Sequence, residues 1–208
     1  MYNPASFAEH DVSKLHAFLR RHSFATLVSS GEGGLVASHL PLLLDPRAGR
    51  LGHLLGHMAR ANPQWRQVEG EVLAIFQGPH TYISPSWYEE PGLVPTWNYV
   101  AVHAYGTLQL VDQRGELLEI LRHAVAFYEG PRPEPWSLDL EGERLEGLLR
   151  SIVGFRIEIS RLEGKWKLSQ NHPEERRRKV IRGLRQQSGD DSQQIATLME
   201  QRLPGPAE

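Results

Sequence analysis

The segment GKWKLSQN, residues 164–171, concentrates side chains that could bind a phosphorylated aromatic ligand. Lys165 and Lys167 place a cation on each side of the Trp166 indole, and a serine, a glutamine and an asparagine follow within four residues. Cations and hydrogen-bond donors suit a phosphate, and an indole suits a flat ring. The alternative is a solvated strand end, in which the lysines only keep the surface polar.

A second candidate phosphate site lies in GHMARANPQWR, residues 56–66. This segment follows an expected strand, and Asn62 and Pro63 are typical of a helix N-cap and a first helical position. The free N–H groups at a helix start attract phosphate, and Arg60 could add a bidentate contact. An ordinary strand-to-helix turn with a surface arginine explains the same residues equally well.

Other reactive patterns lack an essential member. His53 and His57 are four residues apart, as in zinc proteases, but Leu54 stands where the glutamate belongs, and the neighbouring glycines disfavour a helix. GxSxG, Walker A and GxGxxG motifs do not occur in the sequence. The chain has no cysteine, which excludes disulfides, thiolate metal sites and thiol catalysis. We therefore expect no metal site, and no catalytic residue is identified.

Composition limits the class of protein. The chain has 208 residues, of which 40% are hydrophobic and 23% charged, and this favours one folded domain, or one with a helical appendage, over disorder. A net charge of −2 gives no basic footprint for nucleic acid or an anionic membrane. No signal peptide is recognisable, and no stretch reaches the ~20 apolar residues of a membrane span. A cytoplasmic location is expected.

The elements that must position these residues are mostly strands. Periodicity and turn residues predict strands in FATLVSS, LVASHLPLLL, LGHLLGH, EVLAIFQG, residues 98–111 and GFRIEISRLEG. The nearly all-apolar EVLAIFQG is expected to be buried on both faces. Helices are predicted at about residues 9–22, 114–128 and 143–152, in ANPQWRQV, in the basic PEERRRKVIRGLR, and in a last polar segment that ends at PGPAE.

Residues 79–97 carry four prolines and four aromatic residues. Proline neither continues a helix nor pairs in a central strand, so we expect a long loop here, of the kind that often carries function. About six strands joined by hairpin turns, with helices at the start, on one connection and at the end, predict an antiparallel β-barrel decorated by peripheral helices. The fold class is therefore mainly β, or α+β.

Several of these segments together resemble one family. MYNP, LVASHLPLLL, GHMARANPQW, FQGPHTYISPSWY, VPTWNYVAVHAYG, IVGFRIEI and GKWKLSQN are similar, in order from Met1 to about Leu184, to the PaiB-like FMN-binding proteins, often called FMN-binding negative transcriptional regulators. The resemblance implies the split β-barrel of pyridoxamine-phosphate-oxidase-like flavoproteins, and a homodimer with FMN in clefts between its subunits. It divides the chain into an FMN-binding domain, residues 1–186, and a polar C-terminal helix or tail, residues 187–208.

The same resemblance implies a set of cofactor-binding residues. One strand would lie along the flavin ring and offer it backbone groups: Ala37, Ser38, His39 and Leu40. The phosphate cradle would consist of His57, Arg60 and Asn62. The site would be completed, partly from the second subunit, by Gln77, Trp97, Asn98, Lys167, Ser169 and Gln170.

The implied function is FMN binding with a redox activity that uses a small-molecule electron donor or acceptor, so the protein is a possible FMN-dependent oxidoreductase. Only His39, His80 and His103 stand out as acids or bases, and few are needed because the cofactor carries the chemistry. Two alternatives stay open. One is a transcriptional regulator of the PaiB type acting through DNA or a partner, which the basic run at residues 175–179 favours and the net charge does not. The other is a haem-binding or haem-degrading split barrel.

Overall fold

The computed structural model describes residues 1–139 and 141–204. The strands within this part of the chain are β1 (Ala8–Glu9), β2 (Phe24–Gly31), β3 (Gly34–Pro41), β4 (Leu43–Asp45), β5 (His53–Ala59), β6 (Glu69–Ile83), β7 (Thr96–Val111) and β8 (Ile152–Lys167). The helices are α1 (Val12–Arg21), α2 (Gln64–Gln67), α3 (Arg114–Glu129), α4 (Gly142–Ser151), α5 (Glu174–Arg185) and α6 (Asp190–Glu200), with a 3₁₀ turn at Pro85–Tyr88. None of these helices is long and apolar enough to cross a membrane.

All eight strands belong to one sheet, in the order β3-β2-β6-β7-β8-β5-β4, with β1 also paired to β8. The antiparallel sheet with peripheral helices confirms the fold class predicted from the sequence. Two compact units share this sheet, and the long strands β6, β7 and β8 contribute residues to both. Unit 1 comprises Met1–Leu15, Gln77–Val102 and Glu163–Glu208, and unit 2 comprises His16–Phe76 and His103–Leu162.

In unit 2, β2 and β3 form the predicted hairpin, whose antiparallel register runs from Phe24 opposite Pro41 to Gly31 opposite Gly34. Gly34 has a φ of +95°, a conformation that glycine adopts without strain. The other side of β2 pairs with β6, so β3 is the end strand of the sheet. Helices α3 and α4 pack through a separate buried cluster: Val111, Leu117, Ile120, Leu145 and Leu149.

In unit 1, helices α5 and α6 pack against each other. Val180 and Leu184 on α5 and Ile195 and Met199 on α6 are fully buried. The short strand β1 pairs with the end of β8, where Ala8 lies opposite Lys165. Leu168 and Ser169, the first two residues after β8, are buried as well.

Four expectations about the elements need correction. The first helix starts at Val12, not near residue 9, because Ala8–Glu9 pairs as β1. The loop predicted for residues 79–97 starts later, because β6 continues to Ile83 and Pro79 is buried within it. EVLAIFQG is buried on one face only, since its alternate residues are half-buried. Eight strands replace the expected six, the additions being the short β1 and β4.

Three further outcomes concern single elements. Helix α2 begins at Gln64 with Pro63 in the cap position, one residue later than expected. Strand β8 continues to Lys167, so the first half of GKWKLSQN is a strand. The last predicted segment forms α6, and its final residues 205–208 lie outside the described part of the chain.

Candidate functional site

The predicted ring-binding strand lies at the end of the sheet. Ala37 and His39 on β3 are exposed, whereas Ser38 and Leu40 are half-buried. Within the described sheet, β3 pairs with β2 on one side only. The other side can therefore offer main-chain N–H and C=O groups to a ligand. His39 is oriented by its Nδ1 atom, which lies 3.0 Å from the Thr26 hydroxyl.

Asn62 links the start of α2 to this strand. Its amide Nδ2 donates to the Ser38 hydroxyl at 2.9 Å, and its Oδ1 accepts the Gln64 backbone N–H at 2.9 Å. Asn62 thus makes a capping-type hydrogen bond, although Pro63 occupies the cap position itself. The arrangement places an amide and a hydroxyl side by side, as a phosphate or a sugar hydroxyl would require.

Gln64 lies beneath this pair and was not anticipated from the sequence. Its side chain is fully buried, and Nε2 donates to the Ser29 hydroxyl at 3.0 Å and to the Leu27 carbonyl at 3.2 Å. Its Oε1 accepts no hydrogen bond from the described residues. A polar residue next to a predicted helix start gives no sequence signal that it will turn inward.

Arg60 is exposed, but its guanidinium already has protein partners. Nε donates to the carbonyl of Arg150 at 2.7 Å, and Nη2 to that of Ile152 at 2.8 Å. These carbonyls lie at the C-terminal end of α4, where a cation is favoured by the helix dipole. The predicted phosphate contact would therefore use the remaining N–H groups of Arg60.

His57 lies nearby in the chain, on β5, where it is half-buried. Burial lowers the pKa of its imidazole, so the ring is neutral at neutral pH. His53 and His57 are on a strand rather than a helix, as the glycines suggested. No group of three or more His, Asp or Glu side chains in the described residues could hold a metal ion.

In unit 1, the predicted residues Asn98 and Ser169 form a buried pair. The Asn98 amide donates to the Ser169 hydroxyl at 3.0 Å, and that hydroxyl donates back to Asn98 Oδ1 at 3.2 Å. Asn98 is completely buried, and Ser169 is 3% exposed with a φ of +61°. This pair holds the turn that follows β8 in place through side-chain hydrogen bonds made within the protein.

Gln170 has a similar local role. Its Oε1 accepts the backbone N–H of Leu168 at 2.6 Å, and its amide donates to the carbonyl of Trp166. The side chain therefore closes the turn on itself. In the sequence, the polar residues of SQN could belong either to a ligand site or to a solvated strand end. In the structure, Gln170 bonds the protein's own backbone and Ser169 bonds the Asn98 side chain.

Trp97 and Gln77 lie on the exposed surface of unit 1. The Trp97 indole is 53% exposed and meets the exposed Tyr82 ring edge-on, with centroids 6.1 Å apart. His80 lies 6.3 Å from the indole, and its Nδ1 is 3.4 Å from the Gln77 amide nitrogen and 3.5 Å from the Asp191 carboxylate. An aromatic face with a polar rim of this kind can pack against a flat ring.

The basic run of α5 is largely neutralised within unit 1. Arg176 forms a bidentate pair with Glu90, with its shortest contact at 2.6 Å. Arg177 is 9% exposed and donates to a backbone carbonyl, and Arg178 pairs with Glu174. These contacts leave little free positive charge for the phosphates of DNA, which direct binding would have to neutralise.

Comparisons with known proteins agree with the motifs. Residues 1–161 match the family described as "Putative FMN-binding domain". The chain is 39% identical over 206 residues to protease synthase and sporulation protein PAI 2 of Bacillus subtilis, and the alignment covers 98% of each chain.

Two solved structures share the fold. The flavocytochrome Anf3 of Azotobacter vinelandii has a TM-score of 0.59 and 16% identity, covering 77% of this chain and 69% of that one. An FAD and heme binding protein of Mycobacterium smegmatis has a TM-score of 0.54 and 14% identity, covering 77% and 73%. At these identities the likeness concerns the fold alone.

Proposed function

Because this chain belongs to the PaiB-like family of FMN-binding proteins, with their split β-barrel fold and FMN as cofactor, we propose that it is an FMN-dependent oxidoreductase acting on a small electron acceptor. The observation that carries the proposal is the open edge of β3 beside the hydrogen-bonded pair of Ser38 and Asn62. Such an edge suits the polar rim of a flavin, and such a pair suits its ribityl phosphate arm.

The donor set of unit 2 fits the phosphate of FMN. Asn62 uses one of its two amide hydrogens on Ser38, whose own hydroxyl hydrogen goes to no described residue. Arg60 keeps N–H groups beyond the two that bond α4, and His57 is free to donate one. Four donor side chains, one of them always charged, match an anion with three acceptor oxygens.

Five of the predicted residues of unit 1 divide into two roles. Trp97 and Gln77 are exposed and are proposed to contact the cofactor ring, some of these contacts serving the second subunit of a homodimer. Asn98, Ser169 and Gln170 are proposed to hold the turn after β8 in place, since their hydrogen bonds are made within the protein.

Bound FMN supplies the two-electron transfer, so the protein has to bind, orient and shield. Trp97 offers an apolar surface that would exclude water from one side of a ring. His80, held near the carboxylate of Asp191, is the candidate proton donor for an acceptor, because its Nε2 points to no described partner. His39, whose Nδ1 lies at hydrogen-bond distance from the Thr26 hydroxyl, is proposed to orient a ligand at the strand edge.

The test is anaerobic electron transfer. FMN-loaded protein is mixed with NADH or NADPH, and the visible flavin absorbance is followed before and after a quinone is added. We expect the absorbance to fall and then recover, each faster than with free FMN at the same concentration. If neither nicotinamide reduces the protein, and dithionite-reduced protein passes electrons to the quinone no faster than free reduced FMN, the proposal is wrong.

A regulatory role is the second candidate, and the similarity to PAI 2 favours it. Because cations of α5 are paired with carboxylates, we expect any such role to depend on a partner rather than on direct contact with DNA. A haem-binding role has support only in the fold, which resembles those of the flavocytochrome Anf3 and the FAD and heme binding protein. The cytoplasmic location remains a prediction from the sequence.

A further inference from the structure

Unit 1 contains a cavity of about 300 Å³ beside the turn that follows β8. One wall is apolar and consists of Phe7, Leu93, Val94 and Pro95. The volume lies at the lower end of the range for small-molecule pockets, ~300–1,000 Å³. The cavity therefore suits a ligand of about the size of one ring.

The polar side of the cavity is formed by Lys167, Ser169, Asn171 and His172. Burial lowers the pKa of the His172 imidazole, and the nearby cations Arg176 and Lys167 lower it further. The ring is therefore neutral at neutral pH and can serve as a hydrogen-bonding group without adding charge.

Lys167 is the one cation of the lining, and its charge is not compensated. Its ammonium donates to the Thr96 hydroxyl at 2.6 Å and to the Trp97 carbonyl at 2.5 Å, both neutral acceptors. An ammonium has three hydrogens, so one remains for a ligand. No carboxylate of the described residues pairs with Lys167, whereas Arg176 is paired with Glu90. Lys165 also donates to a neutral acceptor, the Tyr2 carbonyl, but it does not line the cavity.

A half-buried cation without a counter-ion is costly, and burial together with Lys165 lowers the pKa of Lys167 accordingly. A bound anion would remove that cost. Only one cation is left for the ligand, so one negative charge suffices and a doubly charged phosphate would be poorly matched. The apolar wall requires a compact hydrocarbon body on the same molecule.

We propose that this cavity binds a small organic monoanion, a carboxylate on a compact apolar body, through Lys167. The inference deepens the proposed function, because this anion would be the electron acceptor or its product. Only that assignment of the anion rests on the proposed redox function. The binding itself depends only on the residues of the cavity.

The test uses benzoate as the probe, with benzamide as its neutral counterpart and inorganic phosphate as an anion without an apolar body. Each is titrated calorimetrically into FMN-saturated protein, and FMN affinity is measured separately by fluorescence quenching. We expect benzoate to bind more tightly than benzamide or phosphate. Lys167→Met should weaken benzoate about tenfold to a hundredfold, since a charge-assisted hydrogen bond is lost, and should leave benzamide unchanged.

Two further variants keep the test independent of any folding defect in Lys167→Met. Val94 is 73% exposed at the rim, so Val94→Trp can obstruct the cavity without disturbing the core, and it should weaken benzoate and benzamide alike. Lys14 belongs to the same unit and pairs with Glu9 outside the cavity. Lys14→Met removes the same charge and should change neither ligand.

Four outcomes would overturn the proposal. Benzoate fails to bind, or Lys167→Met and Val94→Trp leave its affinity unchanged, or phosphate binds as tightly, or benzoate weakens FMN binding in the separate fluorescence measurement. The last would assign the cavity to the flavin. If benzoate binds as expected but the FMN-loaded protein transfers no electrons, the redox proposal fails while the anion site stands.

Discussion

Arg60 illustrates how one side chain can serve both the fold and a ligand. Its Nε and Nη2 atoms hold the carbonyls at the end of α4, and its other N–H groups are proposed for the FMN phosphate. Measuring an Arg60 variant with FMN and with riboflavin separates these roles, because riboflavin has the same ring as FMN but no phosphate. The comparison of the two ligands is therefore informative even if the variant is less stable.

For Arg60→Ala we expect FMN affinity to fall about tenfold to a hundredfold, since a charge-assisted contact is worth roughly 1.5–3 kcal/mol. Riboflavin affinity should hardly change. The free energy of unfolding should fall by about 1–2 kcal/mol through the two lost hydrogen bonds. Fluorescence-quenching titrations and urea unfolding measure these quantities. Equal losses for both ligands would show that Arg60 supports only the fold.

At this scale the sequence identified the segments better than the roles of their side chains. It singled out Asn98 and Ser169, but it could not show that they bond each other across 71 residues of chain. The partner of a polar side chain depends on which distant strands become neighbours, and local spacing carries no such information. Gln64 escaped notice for the same reason, since the partners of its side chain lie on β2 and β3.

At the scale of elements, two helical glycines differ in the space that is available for a side chain. A Cβ at Gly183 in α5 would lie 2.5 Å from the indole of Trp87, whereas one at Gly147 in α4 would meet no atom within 4 Å. Alanine favours a helix over glycine by about 1 kcal/mol. Overpacking costs about 1–3 kcal/mol where a neighbour cannot move away.

We therefore expect Gly183→Ala to lower the free energy of unfolding by about 1–2 kcal/mol, and Gly147→Ala to raise it by up to about 1 kcal/mol. Urea unfolding of the two variants beside the wild type measures both changes. A stabilising Gly183→Ala would mean that the 3₁₀ turn carrying Trp87 moves aside easily.

Elements with a clear period were predictable, and those defined by their partner were not. The alternation in residues 98–111 predicted β7, and helical spacing predicted α3, because each pattern reflects one buried face. The two-residue β1 has no period and exists only because β8 pairs with it. The extension of β6 past Pro79 was not predicted, because proline is expected to end a strand. Proline lacks only its own N–H, and a strand tolerates that loss where no partner requires the donor.

At the scale of the whole molecule, the exposed apolar residues favour self-association. Phe24 and Leu35 on the β2–β3 hairpin are 67% and 80% exposed, and Trp97 in unit 1 is 53% exposed. Surfaces of this kind are costly in water and are commonly covered by a partner. The family resemblance implies that this partner is a second copy of the chain.

We expect a stable homodimer, with a mass near twice the 23.6 kDa of one chain in light scattering at micromolar concentration. Leu35→Lys should shift the equilibrium toward monomer, because a charge would be buried at the interface. Lys14→Met, on another part of the surface, is the matched control. A wild-type mass near one chain would contradict the prediction.

Three continuous strands, β6, β7 and β8, are divided between the two units, and this affects when each unit can fold during synthesis. Translation proceeds from the N-terminus, so unit 2 has all of its residues once position 162 has been added, whereas unit 1 still lacks Glu163–Glu208. Strand β1, which precedes the other described strands in the chain, must wait for Lys165 before it can pair. Until then the N–H and C=O groups of β1 stay unpaired. The described strand that is synthesised first is therefore protected only when the end of β8 has been made.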